Sequence, residues 1–427
     1  MKKILVVYIL CLFSLSAATQ QPVCKINIST AHKEIPYEVN EPVTFDISVI
    51  DDNNAPIKEG IISYKVTQDL EKVLSSGQLN LNSASLKVTE KLNKSGFLNC
   101  EVSFSHNGQT TVIRGGAAIE PLKIKPGSPT PNDFNDFWSS QLNRLRKYPA
   151  KAFLTPVESK EPRVELFEVR IDCLDWMPVA GYFARPANAI SQNHPAILLL
   201  HGAGAFSART DGVEYCAKNG FLAMEINAHG IANNQTNDFY SDLGNGSLSM
   251  SRYPYAGSKN RETCYFLGMF LRLVRATDFL ASQPQWDQKR LITKGFSQGG
   301  CQAIVAAGLD PRVTMVAASA PAMCDHNGEV VGWPHLITPG PDDKPDAEIS
   351  KTAGYFDVCN FAARTNARVM LSVGYVDSIC RPTSVYAAYN CFKSDKEIIN
   401  LPSAEHSSPQ EVEDAFWKMI NEYAKSK

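Results

Sequence analysis

Runs of like charge are missing from this sequence of 427 residues. The formal net charge is -2, and charged residues make up 20% of the chain. Binding to a nucleic-acid backbone requires a concentrated basic surface, so we predict no nucleic-acid partner. Apolar runs long enough to cross a bilayer are also missing beyond the N-terminus. We therefore expect no membrane-spanning segment in the body of the protein.

The N-terminus itself has the pattern of an export signal. Lys2 and Lys3 precede an apolar run over residues 4–15, and the small residues Ser16-Ala17-Ala18 follow. The run is too short to span a bilayer comfortably, which favours a signal peptide over a transmembrane anchor. We predict a signal over residues 1–18, cleaved after Ala18. The mature protein is then periplasmic or secreted, with no membrane association.

Cysteine pairs with metal-binding spacing are missing as well. Of the eleven cysteines, Cys11 lies in the predicted signal, and no C-x-x-C motif occurs among the other ten. This spacing argues against a zinc site, and we predict neither a metal nor a cofactor. An even number of cysteines in an exported protein allows disulfides. Cys24 and Cys100 stand alone in the N-terminal region, and we predict that they pair.

Short strands of alternating apolar and polar residues occur over residues 22–120. Turn signals such as Asn107-Gly108 separate them at regular spacing. This pattern predicts an immunoglobulin-like β-sandwich domain over residues 19–121. The region contains no tryptophan, which argues against a true antibody-type core. Four prolines between residues 121 and 131 then indicate a linker, or a tightly draped connection, at residues 122–131.

A different pattern extends over residues 132–427. After an amphipathic helix and a strand pair, long apolar strands alternate with helical runs. This alternation indicates a mostly parallel sheet covered by helices on both faces. The predicted strands of this α/β domain are Val164–Ile171, Val179–Phe183, Ala196–Leu200, Phe221–Ile226, Leu291–Phe296, Val313–Ala318, Arg368–Val373 and Glu397–Leu401.

The segment Gly295–Gly299 has the pattern G-x-S-x-G. An apolar strand precedes it and an alanine-rich helical run follows, which is the arrangement of a nucleophile elbow. Glycines two residues before and after Ser297 let strand and helix approach closely and hold the serine in a strained turn. The motif also occurs by chance in Gly/Ser-rich loops. The flanking elements favour a catalytic Ser297 on an α/β-hydrolase fold.

A serine hydroxyl needs an adjacent base to take its proton, and an acid to orient that base. In an α/β-hydrolase the order along the chain is serine, acid, histidine, with each residue on a loop after a strand. Only His326, His335 and His406 follow Ser297. Because His406 lies between the last predicted strand and the C-terminal helix, we predict that it is the base.

Asp377 follows the strand Arg368–Val373 and is the predicted acid. Asp357 is its rival, although aromatic neighbours indicate a packing role. The oxyanion of the tetrahedral intermediate needs backbone N–H donors. One is predicted at Gln298, directly after the nucleophile, and the other at Ala203, in the glycine-bearing turn after an early strand.

Four segments of the chain resemble the acetyl xylan esterase and cephalosporin C deacetylase family, which is carbohydrate esterase family 7. They are Pro131–Trp138, Gly295–Gly300, Tyr355–Ala362 and Val373–Pro382, the last continuing to Asn390. The resemblance covers about residues 126 to 425. It implies a serine esterase that removes acetyl groups from small acetylated sugars and oligosaccharides. It also implies that Ser297 is the nucleophile, Asp377 the acid and His406 the base.

Three positions depart from the pattern of that family. Asn227–Gly230 stands where Arg-Gly-Gln is usual, and Ser407 follows His406 in place of glutamate. Ala203 stands where the family usually has a tyrosine of the oxyanion hole, so only a backbone donor carries over. The chain is therefore identified as a divergent member with an extra N-terminal β domain.

These observations predict an exported serine esterase acting on acetylated carbohydrates such as xylo-oligosaccharides. One alternative is a prolyl-oligopeptidase-like peptidase, which shares the elbow and an N-terminal β domain. The N-terminal region is too short for a seven-bladed propeller, which weighs against this reading. The other alternative is a non-catalytic protein whose β domain binds polysaccharide. The predicted partner is the acetylated substrate, and a homo-oligomer is left open.

Overall fold

The N-terminal strands form two antiparallel sheets. The computed structural model describes residues 24–32, 35–83, 85–174, 177–245, 250–336 and 345–425, so the predicted signal lies outside the described residues. One sheet has the order β1-β2-β5 and the other β4-β3-β6-β7, the strand arrangement of an immunoglobulin-like sandwich. The strands are β1 (Lys25–Thr30), β2 (Val43–Ile50), β3 (Ile61–Gln68), β4 (Lys72–Asn80), β5 (Lys87–Glu90), β6 (Gly96–His106) and β7 (Gln109–Ile119).

Alternating burial along these strands builds the core of the sandwich, by which we mean β1 to β7. In β2, Val43, Phe45, Ile47 and Val49 point inward, and the residues between them do not. The predicted disulfide is wrong, because Cys24 and Cys100 are free thiols buried in this core. The Cys24 thiol contacts the Thr111 hydroxyl instead, at 3.7 Å.

A nine-stranded sheet follows, in the order β16-β15-β14-β13-β11-β12-β10-β9-β8. The six strands from β16 to β12 pair in parallel, and β10, β9 and β8 extend the sheet in antiparallel fashion. This is the predicted α/β-hydrolase sheet. Its strands are β8 (Ala152–Val157), β9 (Val164–Ile171), β10 (Val179–Pro186), β11 (His194–Leu200), β12 (Leu222–Ile226), β13 (Trp286–Phe296), β14 (Val313–Ser319), β15 (Arg368–Gly374) and β16 (Lys396–Leu401).

Helices cover both faces of this sheet. Helices α2 and α9 contribute to the apolar core on one face, and α1, α4, α5, α7 and α8 to the larger core on the other. No helix in the described ranges is both long and apolar enough to span a bilayer. The helices are α1 (Phe134–Lys147), α2 (Asp211–Lys218), α3 (Asn237–Asn245), α4 (Tyr265–Ser282), α5 (Gln298–Leu309), α6 (Ala347–Ala353), α7 (Val358–Ala362), α8 (Pro382–Cys391) and α9 (Gln410–Lys425).

The proline-rich segment between the sandwich and α1 lies against the catalytic body. The backbone N–H of Gly127 donates to the Asp325 carboxylate at 2.7 Å. A side chain at Gly127 would clash, since its Cβ would lie 2.2 Å from the carbonyl oxygen of Asn327. Phe97 and Ala118 of the sandwich also belong to the large core of the α/β part. The sandwich and the nine-stranded sheet therefore share buried apolar contacts.

Candidate active site

Ser297 occupies the turn between β13 and α5. Its backbone has φ 58° and ψ -120°, a conformation that residues with a β-carbon rarely adopt. The turn is tight because Gly295 and Gly299 have no side chains. A β-carbon on Gly295 would lie 2.2 Å from the Gly299 carbonyl oxygen, and one on Gly299 would lie 2.1 Å from that of Leu200. These close approaches give the predicted elbow its shape.

Three predicted side chains meet at the carboxyl edge of the sheet. The Ser297 hydroxyl lies 2.9 Å from Nε2 of His406, and Nδ1 of the same imidazole lies 2.8 Å from Oδ2 of Asp377. In the neutral imidazole, Nδ1–H donates to the carboxylate and Nε2 accepts from the hydroxyl. The order serine, imidazole, carboxylate is the arrangement that activates a serine nucleophile.

The Asp377 carboxylate is fully buried and held by the backbone that follows it. Its Oδ1 accepts hydrogen bonds from the N–H groups of Ile379 and Cys380, both at 2.8 Å. The remaining oxygen is directed at His406, so the imidazole has one orientation.

The loop after β11 passes beside the serine. A β-carbon on Gly202 would lie 3.7 Å from the Ser297 β-carbon, and Ala203 is the next residue of this loop. His201 is structural, because Nδ1 contacts the Gly202 carbonyl oxygen at 2.7 Å and Nε2 accepts from the Ala228 N–H at 3.3 Å. Burial lowers the pKa of His201 to about 4, so this imidazole is neutral near pH 7.

His229, one of the departures from the family pattern, contacts this loop at Gly204. Its Nε2 lies 3.2 Å from the Gly204 carbonyl oxygen, and its Nδ1 lies 2.8 Å from the Tyr265 hydroxyl. Burial, followed by the charge of Arg272, lowers the pKa of His229 to about 3. Arg272 itself donates to the Ala228 carbonyl oxygen at 2.8 Å. The changed residues thus form a neutral, hydrogen-bonded support rather than a second catalytic base.

Sequence reasoning missed Tyr253, which lies close to the predicted oxyanion donors. Its hydroxyl donates to the side-chain oxygen of Gln298, and its ring packs edge-on against His229, 4.7 Å between centroids. The tyrosine belongs to a short 3-10 helix, Met250–Tyr255, between α3 and α4, and this single short element has no recognisable pattern in the sequence. Tyr253 therefore connects the Gln298 side chain to His229.

The rival candidates lie outside the triad. Asp357 accepts from the N–H groups of Asp325, His326 and Cys359 at 2.7–3.0 Å, which is a structural role in capping α7. His326 is buried, and neither ring nitrogen has a hydrogen-bond partner in the described part of the chain. His335 lies in the loop before the residues that are not described. None of the three is hydrogen-bonded to Ser297.

Within the described residues, two clusters have the composition of metal ligands. The ligand atoms of Asp377, Cys380 and His406 lie within 4.8 Å of one another, and so do those of Asp325, Asp357 and Cys359. In both clusters the carboxylates already accept from backbone N–H groups or from the imidazole. These hydrogen bonds account for both clusters as protein-internal networks.

Solved structures of acetyl xylan esterases share this architecture. An acetyl xylan esterase from Paenibacillus sp. R4 superposes with a TM-score of 0.61 at 22% identity, covering 71% of this chain and 98% of that one. Acetyl xylan esterase 1 from Thermoanaerobacterium sp. JW/SL YS485 gives a TM-score of 0.60 at 22% identity, covering 72% and 98%. These similarities confirm the α/β-hydrolase fold.

Sequence comparison assigns the family. The acetyl xylan esterase (AXE1) family model matches residues 119–422, which is more than half of the chain. An acetyl esterase, Axe7A, from Xylanibacter ruminicola is 30% identical over 364 residues, covering 82% of this chain and 80% of that protein. The readings as a peptidase and as a non-catalytic binding protein are therefore set aside. The chain belongs to the acetyl xylan esterase family and is a carboxylic ester hydrolase.

Proposed function

We propose that this protein removes acetyl groups from acetylated carbohydrates through a Ser297-His406-Asp377 acyl-enzyme mechanism. The hydrogen-bonded chain from the Ser297 hydroxyl through His406 to the buried Asp377 carries the proposal, with links of 2.9 and 2.8 Å. The name of the relative Axe7A and the family assignment support an acetyl ester as substrate. Xylo-oligosaccharides or related sugars are the proposed leaving groups.

In the first half-reaction, Nε2 of His406 takes the hydroxyl proton while Oγ of Ser297 attacks the acetyl carbonyl carbon. The negative charge that develops on the carbonyl oxygen is stabilised by the backbone N–H groups of Gln298 and Ala203. His406 then returns the proton to the departing sugar oxygen as the C–O bond breaks. The buried Asp377 carboxylate stabilises the imidazolium that exists between these two transfers.

The second half-reaction regenerates the serine. His406 deprotonates a water molecule, which attacks the acetyl carbonyl carbon, and the same two N–H groups receive the oxyanion. Collapse of this intermediate breaks the bond to Oγ of Ser297, and the imidazolium returns the proton to that oxygen. Acetate leaves, and the resting hydrogen bonds are restored. Every proton is carried by a side chain of the triad.

The Ser297→Ala variant tests the mechanism. We expect it to lose p-nitrophenyl acetate hydrolysis, because no other side chain in this turn can form the acyl-enzyme. The matched control is Ser282→Ala, whose hydroxyl bonds to the Phe279 carbonyl oxygen near the end of α4. Wild-type turnover by Ser297→Ala would refute the proposed nucleophile. A panel of acetylated xylans, mannans, pectins and free sugars, followed by acetate release, tests the carbohydrate assignment.

Export is part of the same proposal and is tested separately. The predicted signal over residues 1–18 lies outside the described residues, so its support is the sequence pattern alone. We expect the N-terminus of the protein recovered from the periplasm or the medium to begin at Thr19. Mass spectrometry of that N-terminus checks the prediction, and an intact Met1 in the exported fraction contradicts it.

A further inference from the structure

We propose that the sandwich is a positioning element of the active site. Its strands β6 and β7 and the β3–β4 turn hold the acid loop (residues 375–381), which carries Asp377. They also hold the base loop (residues 402–406), which carries His406. The inference rests on the proposed triad and assigns a role to a domain that lies mostly outside the matched family region.

Asn99 of β6 connects the sandwich to the acid loop. Its side chain is 2% exposed, and Nδ2 donates to the Tyr375 carbonyl oxygen at 2.6 Å. Its Oδ1 accepts from the Leu70 N–H at 3.0 Å, so both ends of the amide have partners. Tyr375 lies two residues before Asp377, and its ring packs against Phe97 with 5.0 Å between centroids. A buried amide that spans two domains fixes their separation at this point.

The β3–β4 turn holds the far end of the acid loop. Asp69 is buried and has φ 53°, and its carbonyl oxygen accepts from Arg381 at 2.7 Å. Its carboxylate accepts from the Thr383 hydroxyl and, at 3.1 Å, from the Phe97 N–H. The turn is therefore tied both to β6 and to the start of α8. Contacts at residues 375 and 381 enclose Asp377 from both sides.

Strand β7 holds the base loop. The Gly116 N–H donates to the Pro402 carbonyl oxygen at 2.7 Å. Two residues earlier, Arg114 donates to the Glu405 carboxylate at 2.8 Å and to the Glu101 carboxylate of β6 at 2.7 Å. Glu405 is the residue directly before His406, so the imidazole lies one residue from an ion pair with the sandwich.

Gly116 is the closest point of approach. A β-carbon there would lie 2.6 Å from the β-carbon of Tyr375 and would force the acid loop away from the sandwich. Gly115 offers a matched comparison in the same strand. A β-carbon on Gly115 would lie 2.9 Å from Cγ2 of Ile28, inside the sandwich and on the opposite side. A methyl group added at position 116 therefore meets the acid loop, whereas one added at position 115 meets the interior of the sandwich.

Geometry explains why such contacts affect the rate as well as stability. The triad needs His406 within hydrogen-bond distance of Ser297, and a displacement of about 1 Å costs up to about 10²-fold in rate. Strand β16 is the edge strand and β15 is next to it, so within the described residues no strand of this sheet lies beyond the base loop. The sandwich supports the acid and base loops instead, through the contacts described above.

The paired variants Gly116→Ala and Gly115→Ala test the proposal in the full-length protein. For Gly116→Ala we expect kcat for p-nitrophenyl acetate to fall roughly 10- to 100-fold while KM changes less than about threefold. For Gly115→Ala we expect a lower melting temperature and wild-type kcat. Asn99→Asp, which keeps the acceptor for Leu70 and loses the donor to Tyr375, should behave like Gly116→Ala.

The kcat and KM values separate positioning from a structural role. If Gly116→Ala and Asn99→Asp keep wild-type kcat, or if Gly115→Ala loses kcat equally, the sandwich does not position the triad. Arg114→Lys should recover most of the kcat lost in Arg114→Ala, since it keeps the charge facing Glu405. Ser297→Ala in the same assay keeps the hypotheses distinct. Turnover by that variant refutes the triad itself, and its inactivity beside an unaffected Gly116→Ala refutes only the positioning role.

Discussion

The proposed nucleophile and its two proposed partners are held in place by different means. Ser297 sits in a turn whose contacts come from the central strands, since its N–H donates to the Ser319 carbonyl oxygen at 2.9 Å and its carbonyl oxygen accepts from Ala322 at 3.0 Å. Asp377 and His406 lie on the loops that follow β15 and β16, and these loops contact the sandwich. The acid loop is anchored by Asn99, 276 residues away in sequence.

The elbow and the two loops differ in the kind of contact that gives their side chains precise positions. The elbow obtains it from steric exclusion, because backbone atoms fill the space where side chains would be. The acid and base loops obtain it from a few directional hydrogen bonds and ion pairs between domains, together with one close approach between Gly116 and Tyr375. Steric exclusion fails abruptly when an atom is added, whereas separate polar contacts are lost one at a time. The following variants test that contrast, from the largest expected effect to the smallest.

The largest effect is expected when Asp377, the proposed acid, loses its charge. For Asp377→Asn we expect kcat to fall roughly 10⁴-fold, because an amide at this position favours the wrong tautomer of His406. Steady-state hydrolysis of p-nitrophenyl acetate measures the loss. Asp357→Asn is the control, a buried carboxylate that also accepts from backbone N–H groups. It should lower stability but keep the activity of each folded molecule, and a loss comparable to that of Asp377→Asn would reverse the assignment.

Adding one methyl group tests the elbow. A β-carbon on Gly299 meets the Leu200 carbonyl oxygen at 2.1 Å, whereas one on Gly300 has its nearest neighbours at 3.1 Å. For Gly299→Ala we expect a free energy of unfolding about 3 kcal/mol lower than wild type, with loss of activity. Gly300→Ala should be affected much less. Urea unfolding measures both variants, and equal midpoints would show that the turn is not set by steric exclusion.

Acid should weaken the region around the elbow through its neutral histidines. Burial lowers the pKa of His229 to about 3, whereas the unfolded chain binds a proton there below about pH 6.5. The unfolded state therefore binds more protons over this window, and stability falls as the pH falls through it.

His229→Gln isolates that contribution, because the amide can still donate to Gly204 and accept from Tyr265. Between pH 6.5 and 4 we expect stability to change less steeply than in wild type, by up to about 1.4 kcal/mol per pH unit for one proton. Unfolding curves across this range provide the test. Above pH 7.5 the two proteins should show parallel pH dependence, and parallel curves below pH 6.5 would contradict the role of His229.

The smallest effect is expected at the ion pair beside His406. The side chain of Arg114 is 37% exposed and that of Glu405 is 65% exposed, so solvent screens their attraction. For Arg114→Ala we expect kcat to fall about threefold, the equivalent of about 0.7 kcal/mol. A double-mutant cycle with Glu405→Gln measures the coupling between the two side chains. Additive effects would mean that this pair contributes nothing to the position of the base.

Local patterns in the sequence were sufficient for the elbow and the main strands. The five-residue spacing at Ser297 reflects contacts within the turn itself, and long apolar strands such as β15 are recognisable because they are buried on both faces. The edge strands β4 (Lys72–Asn80) and β8 (Ala152–Val157) were missed, since little of either is buried and no apolar alternation identifies them. Strand β7 was missed too, because Gly115-Gly116 resembles a strand break in the sequence.

The contacts across the domain junction could not be predicted from the sequence. Nothing in the spacing of Asn99, Arg114 or Gly116 connects them to residues almost 300 positions later, because their pairing depends on how two independently patterned regions dock. The predicted disulfide failed for a related reason. Membership of Cys24 and Cys100 in the same domain does not determine where their side chains point. Both thiols are buried in the apolar core of the sandwich instead.

The shared core at Phe97 and Ala118 has a consequence for how this enzyme can be divided. The match to the family model begins at residue 119, the last residue of β7 and the one directly after Ala118. A catalytic fragment trimmed to that boundary would retain Ser297, Asp377 and His406. It would also expose the apolar surface against which Phe97 packs. The carbonyl groups of Tyr375 and Pro402 would lose the hydrogen bonds that they accept from Asn99 and Gly116. If the sandwich positions the triad as proposed, the smallest functional unit of this chain is larger than the segment that the family model matches. Chimeras with other esterases must then exchange the sandwich together with the loops it supports.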